Sequence, residues 1–110
     1  MSRGEYLGEF EQLVLLALVR LGEGAYGLSV RRELVDRAGR EVAIGAVYAT
    51  LDRLEQKGLV ASALGEPTSE RGGRAKRHFR LTGEGSKALK RSQTAMARML
   101  DGLPAKWRPA

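Results

Sequence analysis

Apolar residues recur three and four positions apart over most of the chain, with one interval where the period drops towards two. In 44–57, IGAVYATLDRLEQK, residues Ile44, Val47, Leu51 and Leu54 form one stripe at helical spacing. The other side holds Gly45, Ala46, Ala49, Asp52, Arg53 and Gln56, so its first turn has almost no side chains and its second is polar. Tyr48 falls on the flank, where a ring can pack inward and turn its hydroxyl out. Gly58 follows, a residue that adopts the left-handed conformation closing many helices. This is either an ordinary amphipathic helix or one shaped for close approach to the major groove of DNA.

Upstream, the spacing predicts a helix over 7–21, with Phe10, Leu13, Val14, Ala17, Leu18 and Leu21 on one stripe. Leu15, Leu16 and Val19 lie largely outside it, so the helix is apolar nearly all round. The second face is expected to meet another copy of the chain; the alternative is a later segment of the same chain. GEGAYG, 22–27, has the G-x-G-x-x-G spacing of a dinucleotide loop, but it follows a helix and no doubly wound sheet fits here, so it reads as a turn. The amides of Ala25, Tyr26 and Gly27 would open the next helix and could hold a phosphate. That helix is expected over 26–38, with Tyr26, Val30 and Leu34 inward, Arg31, Arg32 and Arg37 outward, and Gly39 closing it. A short turn, 40–43, then joins two helices in a helix-turn-helix unit, whose second helix enters the groove while the first lies across the backbone.

After Gly58 the segments 59–65 and 76–81 fit strands, with Pro67, Gly72 and Gly73 as turn formers between them. Segment 71–80 carries Arg71, Arg74, Lys76, Arg77 and Arg80 without an acid. It is either a solvated hairpin tip or a wing laid along a phosphate backbone. Thr82 is placed to cap a last helix running to about 103, with Glu84 in its first turn. Leu89, Met96, Met99, Leu100 and Leu103, with Ala88 and Ala95, form a seam interrupted by Ser92. Such a seam suits a partner helix from a second subunit; packing on its own domain is the alternative. The expected fold is mainly α with a small two-stranded β-wing: a winged helix-turn-helix over 1–81, a dimerisation helix over 82–103, and a flexible tail over 104–110. Trp107 is either loose or tucked into the partner.

With 110 residues, one core and one domain are expected. Nineteen Lys and Arg against 13 Asp and Glu give a net charge of +6, which suits a polyanion or an anionic membrane surface. The longest apolar run, 13–19, is far short of the ~20 residues of a membrane helix. No cysteine is present and the first residues carry acids instead of an export signal's apolar run, so a cytoplasmic place is expected. One His, no Cys and no carboxylate pair at a recognisable nucleophile or metal spacing argue against an enzyme, a metal site or a cofactor.

Taken together, LGEFEQLVLLAL, AYGLSVRREL, GAVYATLDRLEQKGLV and RGGRAKRHFRLTGEG resemble the PadR family of bacterial transcriptional regulators over nearly the whole chain. The Tyr48 segment with Arg53, Leu54, Glu55 and Gly58, followed by Phe79, Leu81 and Thr82, is the specific part. The single last helix looks like the compact branch of that family. The resemblance implies a dimeric winged-helix repressor, often released from DNA by a phenolic, drug-like or other small molecule held between subunits. Met96 and Met99 would either line such a space or simply pack the dimer. Two positions depart from the pattern: Ala43 stands where a Ser or Thr cap is usual, and His78 where an aromatic is frequent, a surface strand role being expected for it.

The expected partners are double-stranded DNA, a second copy of the chain, and a small apolar or aromatic effector, with no membrane. Ala25, Tyr26, Gly27 and Tyr48 would hold phosphates, Gly45, Ala46 and Ala49 would face the groove, and Arg53 would reach a base edge or a phosphate. Arg71, Arg74, Lys76 and Arg77 would hold the flanking backbone. The dimer would use Phe10, Leu15, Leu16, Val19, Leu89, Met96, Met99, Leu100 and Leu103. A winged-helix module that binds protein or RNA without operator specificity is the rival reading.

Overall fold

The computed structural model describes residues 6–65 and 76–107. The first helix, α1 (Glu9–Leu21), begins two residues later than the periodicity predicts. Gly8 is extended, and the Glu11 carboxylate accepts its amide at 3.1 Å, which sets the helix start. α2 (Gly27–Asp36) is shorter than expected at both ends. Tyr26 is extended, with Ser29 Oγ accepting from its amide and donating to its carbonyl, both at 2.9 Å. Arg31 does not point freely outward: its Nε donates to Val42 O at 2.7 Å and ties α2 to the turn before the next helix.

α3 (Ile44–Gln56) matches the predicted segment to within one residue. Its end is a Schellman closure, in which Leu59 N bonds Leu54 O and Gly58 N bonds Glu55 O, with Gly58 at φ 81. β1 (Val60–Leu64) and β2 (Arg77–Leu81) pair antiparallel, Val60 opposite Leu81 and Leu64 opposite Arg77. A third, minimal strand joins them. Phe79 N donates to Ala25 O at 2.8 Å, and Tyr26 bridges His78, so the residues before α2 form the inner edge of the sheet. Periodicity could not show this, because two residues are too few to carry a period.

α4 (Gly83–Leu100) starts as expected: Thr82 Oγ1 accepts from Gly85 N at 3.0 Å, while donating to Gly58 O at 2.8 Å. It ends three residues earlier than predicted. Asp101 is extended and Gly102 has φ 78, so that turn, and not Pro104, stops the helix; Pro104 leads into a 3-10 turn, Ala105–Trp107, that leaves Trp107 exposed.

The core is built from Val14, Leu15, Leu18, Val30, Leu34, Val47, Leu51, Leu54, Val60, Phe79 and Leu89. Two of these were expected at a subunit interface and are corrected here. Leu15 is 0% exposed because α1 is packed by α2, α3, β2 and α4 at once, which buries a wider arc than one stripe. Leu89 is 6% exposed because the first half of α4 lies on α1 and β2. Ser92, the interruption in the seam, is buried and accepts Leu7 N at 3.0 Å, so it docks α4 on the start of α1.

Candidate nucleic-acid interface

Val47, Thr50, Leu51 and Leu54 are buried on α3, which turns Gly45, Ala46, Ala49, Arg53 and Gln56 to the exterior. The exposed first turn therefore has almost no side-chain bulk. Ala43 gives it no side-chain cap, and the amides of Ala46 and Val47 both return to Ala43 O.

Tyr48 is half-buried on the flank of that face. Its ring packs towards Phe79, centroids 6.2 Å apart, and rests on α2 at Gly27. Tyr26 is also half-buried, edge-on to His78 at 6.2 Å, with Lys76 Nζ 4.2 Å above its ring. Lys76 is exposed and extends the basic surface from β2 towards α2. Tyr26, Tyr48 and Lys76 thus gather beside the start of α3. Ala25 and Gly27 do not present surfaces as expected: both are buried, Ala25 through its pairing with β2 and Gly27 beneath Tyr48. Arg71 and Arg74 lie outside the described residues.

The two remaining basic candidates are occupied. Arg53 Nε lies 3.5 Å from Glu11 Oε2, which also takes Lys57 Nζ at 2.9 Å. Arg77, expected on the phosphate backbone, instead bridges from β2 to α3. It donates to Asp52 Oδ1 at 3.0 Å, Glu55 Oε1 at 2.6 Å and Ser62 Oγ at 3.1 Å, with its guanidinium 4.8 Å over the Phe79 ring. The pairing of these cations with Glu11, Asp52 and Glu55 was not legible in the sequence. Only tertiary contact brings Glu11 to α3, from 42 residues away at Arg53.

These bonds set the charge state of both glutamates. Burial pushes the Glu11 pKa up, but hydrogen bonds from Lys57 and the Gly8 amide, the Lys57 charge and Arg53 outweigh it, and the net shift is down. The Ser62 hydroxyl is the largest influence on the Glu55 pKa and lowers it; desolvation comes next and raises it, and the Arg77 hydrogen bond and charge bring the net shift down. Among the described residues no cluster suits a metal ion, and no helix is long and apolar enough to cross a membrane.

A small-faced second helix in a helix-turn-helix, followed by a two-stranded wing, is the arrangement of a winged-helix regulator, and a model of the transcriptional regulator PadR-like family matches residues 15–91. The chain belongs to the PadR-like family. Several solved structures are similar to it. A PadR family transcriptional regulator from Eggerthella lenta is 30% identical, covering 86% of this chain and 81% of its own, with a TM-score of 0.65. RosR from H. salinarum is 28% identical, covering 90% and 82%, with a TM-score of 0.69. A PadR family transcription regulator from Clostridium difficile shares the fold at 22% identity, covering 84% and 92%, with a TM-score of 0.73. No curated protein matches the chain. PadR-like proteins are transcription regulators and not enzymes, and this one is a DNA-binding regulator on the same fold.

In the PadR-like chain the other residues expected at a dimer interface fall in three places. Leu16 is half-buried and Val19 54% exposed on α1, beside a cleft of about 400 Å³ between α1 and α2 lined also by Leu13, Ala17 and Leu34. Met96 and Met99, 55% and 76% exposed, and the half-buried Leu100 and Leu103 lie on the distal part of the chain's last segment. Phe10 is half-buried beneath Arg40, whose guanidinium is 5.8 Å from the ring centroid.

Proposed function

We propose that this PadR-like regulator acts in the cytoplasm as a homodimer that binds a palindromic operator and represses transcription. The observation that carries this reading is the bare exposed turn of α3 at Gly45, Ala46 and Ala49, held rigidly by four buried side chains behind it. Such a turn reaches deep into a major groove and offers van der Waals contact to thymine methyls more than hydrogen bonds to base edges, so shape carries part of the specificity. Tyr26, Tyr48 and Lys76 would hold phosphates beside it, with Arg71 and Arg74 on the flanking backbone. In a dimer two such helices would stand about 34 Å apart, one DNA turn.

Exposed Val19 on α1 and exposed Met96 and Met99 on α4 are the apolar surfaces that a second subunit would cover. A small apolar or aromatic effector fits the same region, since flexible thioethers adapt to varied ligands. Footprinting of the chain's own upstream region, with and without a library of small aromatic compounds, tests operator and effector together. A protected palindrome released by one compound is the expected result. A monomer without preference for any duplex at low salt would remove this reading and leave a module for protein or RNA.

A further inference from the structure

Among the described residues, the second half of α3 and its surroundings hold three cations and three carboxylates, and each of these cations is already engaged. Arg53 and Lys57 share Glu11, and Arg77 is divided between Asp52 and Glu55. The first half of the helix, IGAVYATL, has no charged residue at all. A basic protein therefore surrounds its recognition helix with a charge cluster that is neutral as a whole where it would meet DNA.

This matters because sequence-independent binding comes from cations that displace counterions from phosphates. Each such cation adds about 0.9 to the slope of log affinity against log salt, which is about eightfold in affinity for every tenfold dilution of salt. A cation held 2.9–3.5 Å from a carboxylate gives up that pairing before it can take a phosphate, and the carboxylate itself repels the backbone. Glu11 is well fixed for this task. Its side chain is only 12% exposed, and it is anchored from its own helix by the Gly8 amide. The carboxylate cannot swing away with either cation.

We infer that Glu11 is a specificity-setting residue: by withholding Arg53 and Lys57 from phosphates, it holds down affinity for non-operator DNA more than for the operator. Asp52 and Glu55 do the same to Arg77. The operator complex depends on the fit of the bare turn at Gly45, Ala46 and Ala49, which the carboxylates do not touch. The inference rests on the DNA-facing role of α3 proposed above.

The test compares full-length wild type with Glu11→Gln on two duplexes of equal length, one carrying the palindrome selected from a random-sequence library and one lacking it, across a salt series. Glutamine still accepts the Gly8 amide, so α1 keeps its start. Glu11→Gln should raise affinity for the non-cognate duplex about tenfold at low salt and steepen its salt slope by about one to two units. The selected duplex should gain less, so the ratio between the two falls. Arg53→Gln with Lys57→Gln should lower non-cognate binding in the wild-type background, because Glu11 is left uncompensated, and should abolish the gain in the Glu11→Gln background. A structural role for Glu11 would not produce that dependence. Asp52→Asn gives a second route, with a smaller steepening because Glu55 keeps Arg77 in part. Unchanged non-cognate slopes in folded Glu11→Gln and Asp52→Asn, with palindrome binding intact, would overturn the inference alone. Failure of the wild type to select any duplex would overturn the DNA-facing role of α3 itself.

Discussion

The ring of Tyr48 occupies the space that a side chain at Gly27 would need: a β-carbon built there would lie 2.3 Å from Tyr48 Cζ and 2.5 Å from its hydroxyl oxygen. The first turn of α2 and the flank of α3 are thereby locked at a close approach that only glycine allows. Gly27→Ala should displace the ring and destabilise the fold by about 1–3 kcal/mol, the usual cost of overpacking. Removing the obstacle in Gly27→Ala with Tyr48→Ala should recover part of that loss attributable to the clash. Urea midpoints for the three variants measure it, and Gly27→Ala with wild-type stability would contradict the packing described.

A second glycine lies closest to backbone, with the Leu81 side chain next to it. A β-carbon at Gly85 would fall 2.1 Å from Leu59 O, where nothing can rotate away, so α4 has to tilt or retreat from β1. Gly85→Ala is expected to cost at least as much as Gly27→Ala, by about 2–3 kcal/mol. Gly83, two residues earlier on the same helix, has no atom within 4 Å of its built β-carbon. Gly83→Ala should be neutral or slightly stabilising, since alanine exceeds glycine in helix propensity by up to about 1 kcal/mol. The contrast between neighbours, read by thermal unfolding, isolates the close approach from propensity.

The four helices and the hairpin were legible in the sequence because each rests on local information: the stripes of α1 and α3, the Gly58 closure and the Thr82 cap. What periodicity could not give was the partner of each outward side chain. Leu15 is off the main stripe of α1 yet enclosed, because four elements converge on that helix. Ser92 breaks an apolar seam yet holds the Leu7 amide. Arg77 belongs to a run of cations without a local acid, and its acids arrive from α3 across the domain. Charge spacing along the chain identified a basic wing but not which of its members are free.

Lys76 and Arg77, adjacent on the chain, should therefore respond differently. Among the described residues the Lys76 ammonium meets the Tyr26 ring alone, so Lys76→Ala should leave stability within about 0.5 kcal/mol and reduce the salt slope of duplex binding by about one unit. Arg77→Ala removes the bridge between β2 and α3 and leaves Asp52 and Glu55 without their cation. It should cost about 1 kcal/mol, a value limited by the partial exposure of the network, and lower duplex affinity through the two uncompensated carboxylates. Equal effects of the two substitutions on both stability and slope would contradict this assignment.

The depressed pKa of Glu11 gives its contribution a definite pH dependence. A carboxylate whose folded pKa lies below the ordinary 4.5 stabilises the fold above that value, and the effect disappears as pH falls through the folded pKa. Wild type should thus exceed Glu11→Gln in urea midpoint near pH 7, with the difference vanishing as the solution is acidified below pH 4.5. A difference that persists unchanged in acid would show that the glutamine acts through packing and not through charge.

Leu15 and Val19 sit one turn apart on α1, yet one is closed off and the other is 54% exposed. Their substitutions should separate folding from assembly. Leu15→Ala removes a fully enclosed side chain touched from several elements, so it should cost about 2–5 kcal/mol in the stability of the chain itself. Val19→Asp places a charge on a surface that is already solvated in the single chain, so the monomer should keep its fold. In the proposed dimer the same charge would be buried without a partner, which costs about 3–5 kcal/mol and weakens the subunit contact by orders of magnitude. Light scattering should therefore show Val19→Asp, and independently Met99→Asp, as folded monomers at concentrations where the wild type is dimeric. In the proposed palindromic complex two half-sites are engaged together, so both variants should also lose most of their affinity for the palindrome while retaining weak, salt-sensitive binding to any duplex. Dimers that survive both substitutions would place the subunit interface elsewhere on the chain.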